Sequence, residues 1–346
     1  MKIISKTLKL LPLFLLVLGS YGCSDDDDNT GDAVQSTTVV DVAIANNLTS
    51  LAAALEATDL VTVLEGTGPF TVFAPDNAAF ADLLSSTGID LNNMSAAEEA
   101  LVTNILLNHV IVGENLSASD VVSAGSGYLT TASPAGPNSA NTSLYFNVNG
   151  NTVELNGGAS AAGGADVIET DLEATNGVIH VVNEVIALPT IATFATSNDA
   201  LETLVAALDY AANNDASVDP SYLSLVADAS AGPFTVFAPV NDAFVGANGV
   251  LAELGLSGFG EGMGELNAAT TNAVLEMHVV SGNVQSSGLP NGTVTTLGGD
   301  ITADTANLTL TDANGRVSNI VVSLVDIQAV NGVVHVIDKV ILPPQP

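Results

Sequence analysis

The chain writes one stretch twice, and whatever it folds into must accommodate that repetition. Gly68 to Phe80 reads G-P-F-T-V-F-A-P-D-N-A-A-F, and Gly232 to Phe244 reads G-P-F-T-V-F-A-P-V-N-D-A-F. In each copy aromatic and β-branched residues, Phe70 to Ala74 or Phe234 to Ala238, predict a short strand stopped by Pro75 or Pro239, which has no N–H to give to a ladder. After the proline the pattern changes period. Asp76 or Asn77, and Asn241 or Asp242, are placed to cap a helix whose apolar side starts at Phe80 or Phe244.

A second duplication marks the far end of each unit. Asn176 to Pro189, N-G-V-I-H-V-V-N-E-V-I-A-L-P, returns 155 residues later at Asn331 as N-G-V-V-H-V-I-D-K-V-I-L-P. The Asn-Gly pair tolerates the positive dihedrals of a tight turn and lies between apolar runs, which predicts a closing hairpin. A period of this length is that of a whole domain, so the repetition means tandem domains. Between the landmarks, Leu48, Leu51, Ala52 and Leu55, matched by Leu201, Leu204, Val205 and Leu208, have helical spacing. A second helix through Leu101, Ile105 and Leu106, matched by Ala269 to Glu276, ends near His109 or His278, and the strand Val110 to Val112 follows. Leu144 to Val148, Thr152 to Leu155 and Leu308 to Thr311 read as half-buried antiparallel strands. The boundary near Pro189 to Ile191 leaves hardly any linker, which puts the domains in contact, while the tandem plan predicts two separable melting transitions.

The order G-P-F-T-V-F-A-P, N-x-A-F or N-D-A-F, a helix ending in His-Val, and N-G-V-[IV]-H-V occurs twice and resembles fasciclin-like domains over about residues 39 to 345. The resemblance implies an α+β fold of two tandem wedge-shaped β-sandwich domains with packed helices, in secreted or cell-surface proteins linked to adhesion, and no catalytic residues. His109 and His278 match the family's tyrosine-or-asparagine-histidine position, associated with adhesion, with Asn108 and Met277 rather than tyrosine preceding them. The family-motif residues are Phe70, Pro75, Phe80, His109 and His180 in the first copy, and Phe234, Pro239, Phe244, His278 and His335 in the second, all read as structural.

Residues 1–22 combine a basic start (Lys2, Lys6, Lys9), an apolar run from Leu10 to Leu18 and small residues, the pattern of a secretory signal. The apolar run is too short to span a bilayer as a helix. Cys23 is the only cysteine, and G-S-Y-G-C resembles a bacterial lipobox, so Cys23 is expected to carry a lipid anchor rather than a disulfide. Residues 23–38, opening with S-D-D-D-D after the cysteine, read as an acidic flexible tether. The acidic block resembles the surface-export signal of Bacteroidetes lipoproteins, which places the protein on the outer membrane of a Gram-negative bacterium. Domain one is then 39–190 and domain two 191–346.

Outside the signal, Arg316 and Lys339 stand against 38 acidic side chains. Such a surface repels nucleic acid, which needs Lys and Arg to displace counterions, and it repels anionic membranes as well. No nucleic-acid partner is expected, and membrane contact runs through the anchor.

The chemistry-bearing residues are few. The four histidines occupy matched positions flanked by valine or isoleucine, and nothing in the pattern brings carboxylates to them as a metal site or a general base requires. No G-x-S-x-G, S-x-x-K or second cysteine appears. Gly258 to Gly264 lacks a phosphate-cradle spacing and reads as a flexible loop; Thr311 to Arg316, T-D-A-N-G-R, reads as a turn rather than a calcium loop. No catalytic, metal or cofactor site is assigned. The copies differ most around Thr130 to Asn149 and Ser257 to Gly264, so these surface loops are the expected carriers of binding specificity. The reading is an envelope-anchored binding protein for cell adhesion, with an extracellular protein or polysaccharide as ligand. An enzyme acting on extracellular polymer and a ligand-free structural spacer are the alternatives.

Overall fold

The computed structural model describes residues 37–161, 163–215 and 221–345. The signal, Cys23 and most of the acidic tether lie outside the described residues. From Thr37 onward the chain forms one compact unit.

The first repeat runs α1 (Val39–Ala45), α2 (Thr49–Ala57), α3 (Val61–Leu64), β1 (Phe70–Pro75), α4 (Asn77–Thr87), α5 (Ala96–Asn108), β2 (Val110–Val112), α6 (Ala118–Ala124), β3 (Ser126–Thr130), β4 (Ser143–Asn149), β5 (Thr152–Leu155), β6 (Ala165–Ala174) and β7 (Gly177–Val182). The second runs α7 (Ile191–Ser197), α8 (Glu202–Asn214), α9 (Tyr222–Ala227), β8 (Phe234–Pro239), α10 (Asn241–Val245), α11 (Val250–Glu253), α12 (Ala268–Glu276), β9 (Val279–Ser281), β10 (Gly292–Thr295), β11 (Asp300–Asp304), β12 (Thr309–Thr311), β13 (Val317–Asn319), β14 (Ile327–Ala329) and β15 (Gly332–Ile337).

The two duplicated stretches lie side by side. β1 runs parallel to β7 from Phe70↔Gly177 to Pro75↔Val182, and β8 parallel to β15 from Phe234↔Gly332 to Pro239↔Ile337. The central strands are buried almost throughout, which is why F-T-V-F-A and V-I-H-V-V are nearly continuous apolar runs rather than alternating ones. In the first repeat the sheet order is β2-β1-β7-β6-β5-β4-β3; β6 carries two register shifts and bridges both halves. In the second, the same path is broken into β13 and β14, leaving two four-stranded sheets, β14-β15-β8-β9 and β10-β11-β12-β13.

The closing hairpins form, but Asn-Gly is not their turn. Ala174 faces Gly177 and Ala329 faces Gly332, so the connecting residues are Thr175-Asn176 and Val330-Asn331, and neither asparagine has a positive φ. Glycine is required by crowding: a Cβ on Gly177 would meet the Phe70 carbonyl oxygen at 2.2 Å, and one on Gly332 that of Phe234 at 2.0 Å. The helix start after β1 is capped as expected, Asp76 accepting from the Ala79 N–H at 2.8 Å. The second copy has Val240 at that position, which carries no acceptor, and the helix has no side-chain cap. Leu101 lies on the outer side of α5 and is exposed, while Val102, Ile105 and Leu106 face the core.

The domains share core. Tyr145 on β4 of the first repeat is only 4% exposed and belongs to the apolar cluster of the second, with Ile191, Phe194 and Leu201. Its ring stands 4.9 Å from that of Tyr128, which meets Phe194 edge-on at 5.6 Å. Asn198 donates to the Tyr128 hydroxyl at 3.1 Å, and the Gln328 N–H on β14 to the Ser143 hydroxyl at 3.0 Å. One expectation is therefore corrected. Thr130 to Asn149 is not a surface loop: it contains β4, whose Leu144, Tyr145 and Phe146 are buried, and its irregular part packs toward Gln328. A core common to both repeats argues for one melting transition instead of two.

Candidate functional site

The polar residues that the duplication repeats are spent on holding each repeat together. Thr71 donates to the Glu114 carbonyl and accepts from the Leu116 N–H; Thr235 does the same with Gly282 and Val284. Asn77 accepts from the Ser50 N–H at 2.9 Å and donates to the Asn47 carbonyl at 2.8 Å, fastening the start of α2 to α4; Asn241 repeats this with Thr203 and Asp199. Asn176 accepts from the Val39 N–H and donates to the Leu64 and Gly66 carbonyls, and Asn331 copies it with Ile191, Val226 and Asp228.

The histidines complete this set. His109 and His278 end their helices, donate through Nδ1 to the Ile105 and Val274 carbonyls at 2.7 and 2.8 Å, and accept through Nε2 from the Ile186 and Ile341 N–H, each at 2.9 Å. Full burial holds both rings down at about 4, and neither has a nitrogen left for a substrate proton. His180 and His335 accept at Nδ1 from the Asp171 and Asp326 N–H and donate at Nε2 to the Leu116 and Val284 carbonyls. Burial lowers His335, although the Asp326 carboxylate lies 3.9 Å away. Asp171 and Asp326 sit in left-handed conformations at φ 60° and 56°, each accepting from a backbone N–H earlier in its repeat, that of Ala118 at the start of α6 or that of Ser286.

The remaining motif residues are core or near it. Phe80 and Phe244 are buried, as are Pro75 and Pro239, and Phe70 is more deeply covered than Phe234. The positions preceding the first histidines are interior: Asn108 accepts from the Thr142 hydroxyl, and Met277 is fully enclosed. No group of three or more His, Cys, Asp or Glu side chains able to hold a metal occurs among the described residues. The Ser257 to Gly264 loop is ordered by its own bonds, Ser257 N–H to Gly264 and Leu266 N–H to Gly258, and it seats Phe259 against Phe244. Glu261 there accepts from the Tyr210 hydroxyl at 2.6 Å; desolvation first, and then this bond, push that phenol up to about 12, and Met263 projects fully into solvent. Asp312 of T-D-A-N-G-R accepts from the Asn314 and Arg316 N–H groups, an Asx turn.

What is not spent lies where the repeats meet. A polar cleft of about 470 Å³ opens between the β4–β5 hairpin and the segment after it on one side and the end of α7 on the other. Asn147, Glu154 and Ser160 line the first wall; Thr196, Ser197 and Asp199 line the second. Sequence reasoning reached only part of it: Asn147 to Asn149 fall in the Thr130 to Asn149 stretch expected to carry binding specificity, whereas nothing singled out Thr196 to Asp199, and the cleft exists only when both walls are present. The duplicated polar residues had a readable signal: identity at matched positions of the two copies.

The fold and this distribution of polar groups define a paired α+β scaffold whose repeated residues are structural. The fasciclin-domain family model matches residues 46–189 and again 199–343, and the chain belongs to that family as a tandem pair. A Synechocystis protein, sll1483, is 39% identical over 44% of this chain and 74% of its own length. The pig transforming growth factor-beta-induced protein ig-h3 is 26% identical over 81% of this chain, which spans 35% of that longer protein. A solved domain pair from the insect cell adhesion molecule Fasciclin I aligns at a TM-score of 0.46 with 18% identity, covering 87% of this chain and 94% of that one. None of these names describes an enzyme.

Proposed function

We propose that the protein is an envelope-anchored adhesion module, lipidated at Cys23, that holds its fasciclin pair on the outer membrane surface to engage an extracellular protein or polysaccharide. One observation carries the binding role: the repeated histidines, asparagines, threonines and aspartates are consumed by internal hydrogen bonds, leaving recognition to surfaces that the two copies do not share. The acidic surface supports solubility away from anionic membranes. Membership of the fasciclin-domain family agrees with this role.

The test joins location and retention. Cys23→Ser should release the protein from the membrane fraction, and the purified chain should retain on a surface of matrix proteins or glycans without turning over chromogenic esters or glycosides. Unchanged membrane partitioning of Cys23→Ser sinks the anchor. Turnover that one carboxylate substitution abolishes in a folded protein replaces adhesion by the enzyme reading.

A further inference from the structure

From the cleft between the repeats we infer a binding site for a short stretch of uncharged, hydroxyl-rich glycan; this deepens the adhesion reading and rests on it. The size and the chemistry of the walls exclude the other ligand classes in turn. About 470 Å³ lies within the ~300–1,000 Å³ typical of small-ligand sites, yet the walls offer almost no apolar surface, so neither an acyl chain nor an aromatic ring would be desolvated favourably there. Glu154 and Asp199 contribute carboxylates and no Lys or Arg lines the cleft, so phosphate, sulfate and uronate groups meet repulsion. A metal ion would need more ligands than two carboxylates from opposite walls, and no set of three is present among the described residues.

The hydrogen-bonding capacity left over suits a polyol. Glu154 gives one oxygen to the Asn149 amide at 2.9 Å and keeps the other for a hydroxyl donor. The hydroxyls of Thr196 and Ser197 already donate to the Ala192 and Thr193 carbonyls, at 2.9 and 2.5 Å, so both present lone pairs to a ligand. Asn147 and Ser160 bring donors to the facing wall, and Asp199 accepts. A sugar ring, whose hydroxyls both donate and accept, can pair with both walls at once, whereas a ligand that only accepts leaves the carboxylates unpaired. The position is also specific to this pairing: Asn47 fills in the first repeat the backbone role that Asp199 fills in the second, so the carboxylate has no counterpart.

Isothermal titration of the full chain with short uncharged oligosaccharides, with sulfated and uronate oligosaccharides and with calcium chloride alone tests the assignment. Saturable binding of an uncharged series is expected, weakened at least tenfold in Glu154→Gln/Asp199→Asn, with an unchanged melting temperature. A second variant, Ser160→Trp, fills the cleft from a loop position and should abolish binding. Equal or tighter binding of the anionic series, a response to calcium alone, or saccharide binding that survives both variants overturns the proposal. Surface attachment separates the two readings. If attachment persists in both variants while no uncharged saccharide binds, the cleft assignment falls and adhesion stands; if the protein neither attaches nor binds saccharide, both fall.

Discussion

Tyr145→Ala should damage the second repeat although Tyr145 belongs to the first. The side chain is 4% exposed, stands among Ile191, Phe194 and Leu201, and contacts Tyr128 at 4.9 Å between ring centres. Aromatic truncation in a packed core costs ~3–5 kcal/mol, which includes the ring pair with Tyr128. For domains of this size the melting temperature should fall by on the order of 10 °C. Calorimetry of the unaltered chain should give one transition, because neither repeat can unfold without exposing the shared surface. In Tyr145→Ala that transition should broaden or split. The chain has no tryptophan to report on one repeat, so hydrogen exchange at β7 and β15 peptides assigns the loss, and β15 should lose protection as well as β7. Tyr145→Phe keeps the ring and should cost under ~1.5 kcal/mol. Two independent transitions in the unaltered chain, or damage confined to β7, would refute the shared core.

His109 and His278 make stability pH-dependent with a definite sign. Both are neutral in the fold with values near 4, against ~6.5 unfolded, so between those limits the unfolded chain binds more protons. Their contribution is complete above pH ~6.5 and falls as pH drops toward 4, by roughly 3 kcal/mol for each ring. Melting between pH 7.5 and 4.5 should show this fall, and His109→Asn/His278→Asn should flatten it; an unaltered slope refutes the assignment. Asn176→Ala and Asn331→Ala each strip partners from one N–H and two carbonyls, two of the three bonds in each set involving fully buried groups, and should cost roughly 2–4 kcal/mol, read as a lower urea midpoint with the same m-value.

The repeated motifs were legible because they face the same packing problem twice. Phe70 to Ala74 needs two buried faces beside a parallel partner, which any reader of β-branched and aromatic runs can see. The parallel pairing itself joins Phe70 to Gly177 and Phe234 to Gly332, far apart in the chain, and no local pattern encodes it. Gly177 shows how a right element can rest on a wrong reason: Asn-Gly suggests a left-handed turn, while the true constraint is the Phe70 carbonyl on the neighbouring strand. Asn77 and Asn241 look like helix caps because side-chain oxygens near a helix start usually are, but the N–H groups they accept from lie at the starts of α2 and α8. Leu144 to Val148 reads as a strand, while the Thr130 to Asn149 stretch that holds it reads as a surface loop because Asn, Ser and Thr surround it. Its burial comes from the other repeat, which no single-domain pattern can report.

The latch made by Asn176 and Asn331 has a mechanical consequence. The chain enters the first repeat at Thr37, whose carbonyl accepts from both the N–H and the hydroxyl of Thr175, and the next bond ties Val39 to Asn176. At the passage to the second repeat, the Val330 N–H bonds the Pro189 carbonyl and the Ile191 N–H bonds Asn331. Each entry point is therefore gripped by the loop joining the last two strands of the repeat it enters. Tension applied at Thr37 loads that loop, and through it the central parallel strands, before it reaches α1 or α2. The helices lie beside the force path instead of in series with it, so a pulled molecule resists by shearing its sheets rather than by peeling its helices one turn at a time.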